Sequence, residues 1–182
     1  MRLLAYNETV PMTKRIPALP EKQLARDSKI AKQIIHAYDV EEDIEKVKDI
    51  FFRKMHLLSN PRYWEMLRTI WVICGKTENS DEFRPLFRSS RPCKGWFMTV
   101  EDAAELEKMS FPLTVYRAYD PWYDTPEGVA AGGDPGISWT LDKEWCEKYA
   151  EGKSRKVKSR VVERKDVFAY IRRRGEEEIM IL

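Results

Sequence analysis

The spacing of apolar residues along the chain changes at Pro112. Between residues 21 and 72 apolar side chains recur mostly every three or four positions, which is the period of helices with one buried face. Beyond Pro112 the apolar runs are short and rich in β-branched and aromatic residues, as in strands. We therefore predict an α+β protein in which a helical region, residues 1–110, packs on a mixed β-sheet in residues 111–182, the two forming one compact unit.

The helical region contains recognisable start and stop signals. Asn60 can cap a helix whose first position is Pro61, where no backbone donor is needed, and Gly75 can end that helix. Pro85 interrupts the polar segment 77–92, for which we expect only a short helical turn between loops. The predicted helical segments begin near residues 21, 41, 61, 77 and 99.

The β-rich region is expected to alternate strands with one long loop and one helix. The loop covers residues 122–135 and is rich in glycine. A helix that carries Trp145 and Tyr149 follows it. Strands are predicted around residues 113–117, 138–140, 157–162, 167–171 and 179–182.

Three short motifs in the β-rich region carry groups of complementary chemistry. Val-Tyr-Arg at residues 115–117 ends a strand in an arginine, and Ser-Trp-Thr at residues 138–140 supplies two hydroxyls. Glu-Glu-Glu at residues 176–178 places carboxylates directly before the apolar strand 179–182. If these strands lie together, one cation, one hydroxyl pair and one carboxylate pair converge from three strands.

In this order the motifs resemble those of the arginine–serine–glutamate branch of the ADP-ribosyltransferase superfamily. The matching positions are Arg117, Ser138, Thr140, Glu176 and Glu178. The likeness covers about residues 111–182, and it extends to phage and bacterial proteins with a helical region ahead of such a domain. The central motif departs from the family pattern, because its middle residue is the bulky Trp139 and its last residue is a threonine.

The resemblance implies a mono-ADP-ribosyltransferase with an NAD cleft. NAD is the substrate, no metal is needed, and a protein arginine, for instance on a host protein, is the expected acceptor because position 176 is a glutamate. Arg117 is expected to bind the pyrophosphate of NAD and Ser138 to organise the site. Glu178 is expected to stabilise the oxocarbenium-like transition state, and Glu176 to take a proton from the acceptor.

Aromatic side chains near the motifs are further candidates for contacting NAD. Trp139 lies inside the central motif, and Tyr116 and Tyr119 flank the arginine. If these residues are functional, their rings stack on the nicotinamide or adenine ring of NAD. The alternative is that they pack in the core. Thr140 is expected either to contact NAD or to support the start of the following helix.

Each motif also has a purely structural interpretation. Glutamates at 176–178 suit a solvated turn before an edge strand, and Arg117 suits a surface or interface arginine. Two functional alternatives therefore stay open. One is a catalytically silent domain of the same fold that binds a ligand in its cleft. The other is an interaction protein whose helices, residues 21–109, carry the function.

The segment 153–174 is strongly basic. Between Gly152 and Arg174 there are ten lysine or arginine residues and two acids, Glu163 and Asp166. Such an excess suits attraction to nucleic acid or to an acidic protein surface. Alternation about Val157 instead suits a strand with a solvated basic face, and the formal net charge of the whole chain is only +2.

The positions of cysteine and histidine and the hydropathy of the chain reduce the number of protein classes that the sequence allows. The three cysteines lie far apart, which indicates neither a disulfide framework nor a zinc site. Both histidines, His36 and His56, fall in the helical region, so a histidine-dependent triad is not expected beyond residue 110. No apolar run approaches the roughly 18 residues of a membrane span. We expect a cytoplasmic protein without a membrane partner.

Overall fold

The computed structural model describes residues 18–74, 80–134, 136–173 and 176–182. Its contacts group the chain into a helical unit, drawn from residues 1–75 and 89–100, and a sheet unit, drawn from residues 76–88 and 101–182. The protein is α+β, as the change of period predicts. The division at residue 110 and the packing of one region on the other stay predictions.

Within residues 18–74, three α-helices build the helical unit. They are α1 (Glu21–Asp39), α2 (Ile44–Lys54) and α3 (Asn60–Cys74), and a 3₁₀ turn (Met55–Leu57) follows α2. Their positions confirm the segments predicted near residues 21, 41 and 61. The second helix begins a few residues later than predicted, because the side chain of Asp43 accepts a hydrogen bond from the backbone N–H of Lys46 and caps it.

The core of the helical unit combines apolar packing with one buried carboxylate. Ile34, Phe51 and Trp64 are fully buried, one from each helix. Asp27 on α1 is also buried, and it accepts hydrogen bonds from the backbone N–H of Ser59, at 3.1 Å, and from the Ser59 hydroxyl. These bonds fasten α1 to the start of α3 and satisfy the carboxylate in the interior.

The sheet unit begins with two helices, α4 (Ser80–Phe87) and α5 (Val100–Lys108). Pro85 lies inside α4, so the prediction of a mere turn interrupted at that residue is wrong. Proline removes one helical hydrogen bond. Aromatic packing offsets this loss, because the Phe83 and Phe87 rings stack with centroids 6.2 Å apart and Phe87 contacts Phe168 at 5.4 Å.

Five strands form one sheet in the order β3-β1-β2-β5-β4. They are β1 (Leu113–Tyr119), β2 (Ser138–Thr140), β3 (Lys156–Val162), β4 (Val167–Arg173) and β5 (Glu176–Ile181). All four pairings among them are antiparallel, so the predicted mixed sheet is wrong. For β4 and β5 the cause is their closeness in sequence, since a parallel pair needs a crossover of about a dozen residues.

Helical segments lie between β1 and β3 in the chain. A five-residue helix, α6 (Pro126–Ala130), falls where the sequence predicted a loop, and Thr125 caps it by accepting from the Gly128 N–H at 3.1 Å. The predicted helix after β2 is confirmed as α7 (Lys143–Glu151). Its Cys146 and Ala150 pack on Ala118 of β1 and cover one face of the sheet.

The glutamates at 176–178 lie in β5, which corrects their predicted position ahead of the strand. Glu177 pairs with Arg172 of β4, and opposite charges on paired residues stabilise antiparallel strands. The outer edge of β4 is also protected. Asp102 of α5 is buried and accepts from the backbone N–H of Arg172 at 3.2 Å, so this donor is not left open to another strand.

Candidate active site

The three motifs lie on three neighbouring strands, β1, β2 and β5. Tyr116 of β1 pairs with Thr140 of β2, and Thr140 pairs in turn with Glu178 of β5. Directly paired residues of antiparallel strands point to the same face of the sheet. One residue from each motif therefore lies in the same row across the sheet: Tyr116, Thr140 and Glu178.

One face of the sheet carries the hydroxyls and two of the carboxylates. Ser138 pairs with Met180 and Thr140 with Glu178, and Glu176 lies two residues before Glu178 on the same face. Ser138, Glu176 and Glu178 are half-buried, whereas Thr140 is buried. These three side chains are therefore partly exposed, on the face of the sheet against which α7 also packs.

Thr140 also shapes the corner between β2 and α7. Its hydroxyl accepts a hydrogen bond from the backbone N–H of Asp142 at 3.1 Å. Asp142 then caps α7 by accepting from the N–H of Trp145 at 2.8 Å. The threonine thus directs the chain from the strand into the helix, and its contact with NAD stays a prediction.

Arg117 points to the other face of β1, because it follows Tyr116 in the strand. Its Nε donates to Asp134 at 2.8 Å, one Nη donates to the same carboxylate at 3.4 Å, and the other donates to the backbone carbonyl of Ser138 at 2.5 Å. The side chain is 5% exposed. The structure therefore separates this guanidinium from Glu178 by the thickness of the sheet and engages it with protein acceptors.

Asp134 is the centre of a charge cluster that the sequence analysis missed. Its side chain is 1% exposed and also lies 2.9 Å from the Nζ of Lys158, the residue on β3 that pairs with Arg117. Burial by itself raises the pKa of Asp134, but the hydrogen bonds and charges of Arg117 and Lys158 outweigh it and hold the pKa below its usual value. An aspartate in a glycine-rich loop after a motif arginine is the sequence signal for this cluster.

The loop that carries Asp134 fits closely around the arginine. The backbone N–H of Gly136 donates to the Asp134 carboxylate at 3.0 Å. A Cβ atom on Gly136 would lie 1.8 Å from the Cζ of Arg117, which is far inside van der Waals contact. Glycine is therefore required here, and its small size lets the guanidinium pass against the backbone.

The aromatic candidates divide between the two faces. Lys158 lies 4.9 Å from the ring centroid of Tyr119 and 5.4 Å from that of Trp139, so both rings belong with the Arg117 cluster. Tyr116 instead packs beside Cys146 and Ala150 on the Glu178 face. A ligand bound at the glutamates would meet Tyr116 before the other two rings.

Glu177, the middle carboxylate, has a structural partner. The hydroxyl of Tyr170 on β4 donates to it at 3.1 Å. Burial, together with the adjacent carboxylate, raises the pKa of Tyr170 to about 12. Glu177 therefore points to the face of the sheet that carries Tyr170, whereas Glu176 and Glu178 lie on the face of Thr140.

The helical unit contains a separate groove of about 820 Å³ between α1 and α2. Lys29, Lys32, Lys46 and Lys54 are among the residues that line it. Glu41 also lines the groove and forms an ion pair of 2.6 Å with Lys46. None of the site residues predicted from the sequence lies in this groove.

Comparison with protein-family models, with curated proteins and with solved structures gives no match to the chain. Within the described ranges, no three histidine, cysteine, aspartate or glutamate side chains are grouped so as to bind a metal ion. Among the helices of the same residues, none has both the length and the apolar character needed to cross a membrane.

Proposed function

We propose that the protein is a mono-ADP-ribosyltransferase that transfers ADP-ribose from NAD to a macromolecular acceptor, a protein arginine in the first instance. The observation that carries this proposal is the pairing of Glu178 with Thr140, which brings a carboxylate to the strand of Ser138. Glu176 follows the same face of β5. The proposal includes an ADP-ribosyltransferase-like fold with an NAD cleft over this face.

The reaction that we propose begins with cleavage of the bond between nicotinamide and the ribose C1′ atom, with nicotinamide leaving with the bonding electrons. Positive charge then develops on the ribose, and the Glu178 carboxylate stabilises it, as carboxylates do in glycosyl transfer. The acceptor nitrogen forms the new bond to C1′, and its proton passes to Glu176. Ser138 orients the carboxylate and the ribose by hydrogen bonding.

Arg117 has a more indirect role in this proposal than its motif implies. Its guanidinium holds the Asp134 loop and the Ser138 carbonyl, so it positions the strand that carries the hydroxyls. Binding of the NAD pyrophosphate at Arg117 would require Asp134 to exchange its place with a phosphate. A phosphate bound there would also lie on the face of the sheet away from Glu178, so the proposed NAD cleft does not depend on this contact.

The hydrogen bonds between Arg117 and its own Asp134 loop favour a second candidate function. A domain whose motif arginine is bound to its own loop, on the face away from the glutamates, is suited to ligand binding without catalysis. In this alternative the face of Ser138 and Glu178 binds NAD or another nucleotide and leaves it intact. The two candidates differ in turnover, and a single assay separates them.

The test is release of nicotinamide from NAD by the wild type and by Glu178→Gln. We expect the variant to lose activity by a factor of about 100 or more, because one preorganised charge at a transition state contributes about 3–4 kcal/mol. Glu151→Gln is the matched control, since it removes the same charge from an exposed position on α7. If the wild type binds NAD without turnover, the transferase proposal is wrong and the catalytically silent domain takes its place.

Glu176→Gln tests the acceptor step separately. We expect this variant to lose transfer of ADP-ribose to arginine-containing protein while it keeps slow hydrolysis of NAD to water, because only the proton acceptor for the incoming group is removed. Transfer and hydrolysis are measured side by side with labelled NAD. Equal loss of both activities would contradict a separate role for Glu176.

A further inference from the structure

The sheet unit carries an exposed surface in which two stacked aromatic rings lie beside two cations. We call it the aromatic–basic surface and define it as Trp145, Tyr149, Lys153 and Arg155. Trp145 and Tyr149, four residues apart on α7, stack with centroids 5.2 Å apart and an interplanar angle of 12°. Trp145 is 37% exposed, so part of its ring system is open to solvent.

Both cations lie over the tyrosine ring of this stack. The Nζ of Lys153 is 4.5 Å from the ring centroid of Tyr149 and 3.1 Å from its hydroxyl, and the Cζ of Arg155 is 5.7 Å from the same centroid. Distances of this size are those of cation–π contacts. The two positive charges are therefore concentrated next to the exposed indole.

The backbone after α7 holds this arrangement in place. The N–H groups of Lys153 and Arg155 both donate to the carbonyl of Ala150, at 3.1 and 2.9 Å. Between them Ser154 adopts a left-handed conformation with φ of 52°, which reverses the chain between α7 and β3. The turn brings both side chains back over the helix end, so the surface is formed before any ligand binds.

The acidic residues of α7 lie away from the aromatic–basic surface. Glu144, Glu147 and Glu151 follow one another at spacings of three and four residues and so share a face of the helix. Lys148 lies between the two groups, three residues after Trp145 and four residues after Glu144. The helix therefore presents an aromatic face and a separate face that carries its three glutamates.

Other cations of the segment 153–174 are occupied by acidic partners. Lys156 lies 2.7 Å from Asp124, Lys158 lies 2.9 Å from Asp134, and Arg164 lies 3.2 Å from Glu107. The basic excess seen in the sequence is thus partly neutralised along the strands. At the start of the segment, Lys153 lies over the ring of Tyr149.

We propose that the aromatic–basic surface binds single-stranded nucleic acid, with a base stacked on Trp145 and backbone phosphates at Lys153 and Arg155. Stacking on an aromatic ring together with cationic contacts to phosphate is how proteins bind single strands without sequence preference. A duplex has its bases stacked internally, so it offers only its phosphates to this surface. An acidic peptide would use the cations but gains nothing from an exposed indole.

The proposal is tested by fluorescence anisotropy with a labelled oligothymidylate of about 20 nucleotides and the full chain, without NAD. This readout is independent of the proposed transferase, so failure of one proposal leaves the other standing. We expect Trp145→Leu to weaken binding roughly tenfold and Trp145→Phe to retain most of the affinity, because only the second variant keeps a stacking ring. Circular dichroism verifies that both variants are folded.

Lysine and arginine variants test the phosphate contacts. We expect Lys153→Gln combined with Arg155→Gln to reduce the slope of log affinity against log salt by about 1.4, since each phosphate contact to a single strand contributes about 0.7. Lys143→Gln is the matched control, because this lysine lies on the same helix and pairs with Glu147. We expect it to change affinity by less than about twofold.

Three outcomes would overturn the proposal. The first is no binding of the oligonucleotide by the wild type at low salt. The second is an affinity of Trp145→Leu equal to that of Lys143→Gln, which would exclude base stacking. The third is displacement of the oligonucleotide by a duplex or by polyglutamate as effectively as by unlabelled oligothymidylate, which would assign the surface to phosphates alone or to an acidic protein.

Discussion

Asp134 shows how a single carboxylate can organise a buried site. Its side chain is almost fully buried, and two cations, Arg117 and Lys158, contact it. Removing a carboxylate from water is costly, and paired cations with direct hydrogen bonds offset that cost. The cluster is stable only as a set, because loss of the acid leaves two positive charges facing each other.

Asp134→Asn is expected to lower the free energy of unfolding by about 3–5 kcal/mol, as is typical when one partner of a buried ion pair is removed. The pKa of Asp134 is depressed in the folded protein, so its contribution is complete above the unfolded pKa near 3.9 and is lost as the pH falls below that value. Denaturant titrations at several pH values measure how the stability difference between the wild type and the variant changes with pH. A difference between the wild type and the variant that stays constant from about pH 6 to 3 would contradict the assignment.

Gly136→Ala tests the close contact between the loop and Arg117. The added methyl group cannot fit beside the guanidinium, and we expect a loss of about 1–3 kcal/mol in stability from the forced displacement. Gly152→Ala is the matched control, because its Cβ would meet nothing nearer than 3.7 Å and its φ of −63° is helical. That variant is expected to be neutral or more stable by up to about 1 kcal/mol. Thermal unfolding of the two variants and the wild type measures both stability changes.

At the scale of elements, the corner between β2 and α7 connects the candidate site to the covering helix. Thr140 accepts from Asp142, and Asp142 caps the helix that buries Cys146 and Ala150 against β1. A three-residue strand has few hydrogen bonds of its own. Its position between β1 and β5 therefore depends on the pairings on both sides and on this corner.

Asp142→Ala is expected to destabilise α7 by about 1 kcal/mol, because the N–H of Trp145 loses its side-chain acceptor. Asp142→Asn keeps an acceptor of equal capping strength and serves as the control. Hydrogen exchange of the amides in the first turn of α7 reports the effect directly. Identical exchange in the two variants would show that the cap does not hold this helix end.

At the scale of the whole molecule, the contacts of the chain form two groups, and the described residues of each include buried apolar side chains. The core of the helical unit is built from α1, α2 and α3, and that of the sheet unit from both faces of the sheet. Large buried aromatic side chains occur in each, including Trp64 in the first and Tyr170 in the second. Each unit therefore has apolar surface of its own to bury, which is the main source of folding free energy.

Ile34 and Ile35 are neighbours on α1 that test the core of the helical unit. Ile34 is fully buried and Ile35 is 38% exposed. We expect Ile34→Ala to lower the stability of the helical unit by about 2–5 kcal/mol, through lost transfer free energy and a residual cavity. Ile35→Ala is expected to cost less than about 1 kcal/mol. Hydrogen exchange of the protected amides in α1 to α3 measures both, and equal effects would contradict the described burial.

Local features of the sequence predicted most of the elements. Apolar spacing located α1, α2 and α3, the capping pair of Thr99 and Asp102 located α5, and the period change at Pro112 marked the start of the strands. These predictions succeeded because helix periodicity and capping depend on residues within about four positions of each other. Where local signals compete the prediction was poorer, as at Pro85, whose helix is supported by aromatic contacts, and at the glutamates, which pair into β5 instead of forming a turn.

The amino-acid sequence by itself determined the α+β class, the residues of the three motifs and their order along the chain. Only the tertiary structure decided which of those residues share a face: Glu178 with Thr140, and Arg117 with Asp134 on the other side. The physical reason is that strand register follows from pairings across long sequence separations. A shift of one residue in that register exchanges the two faces of a strand.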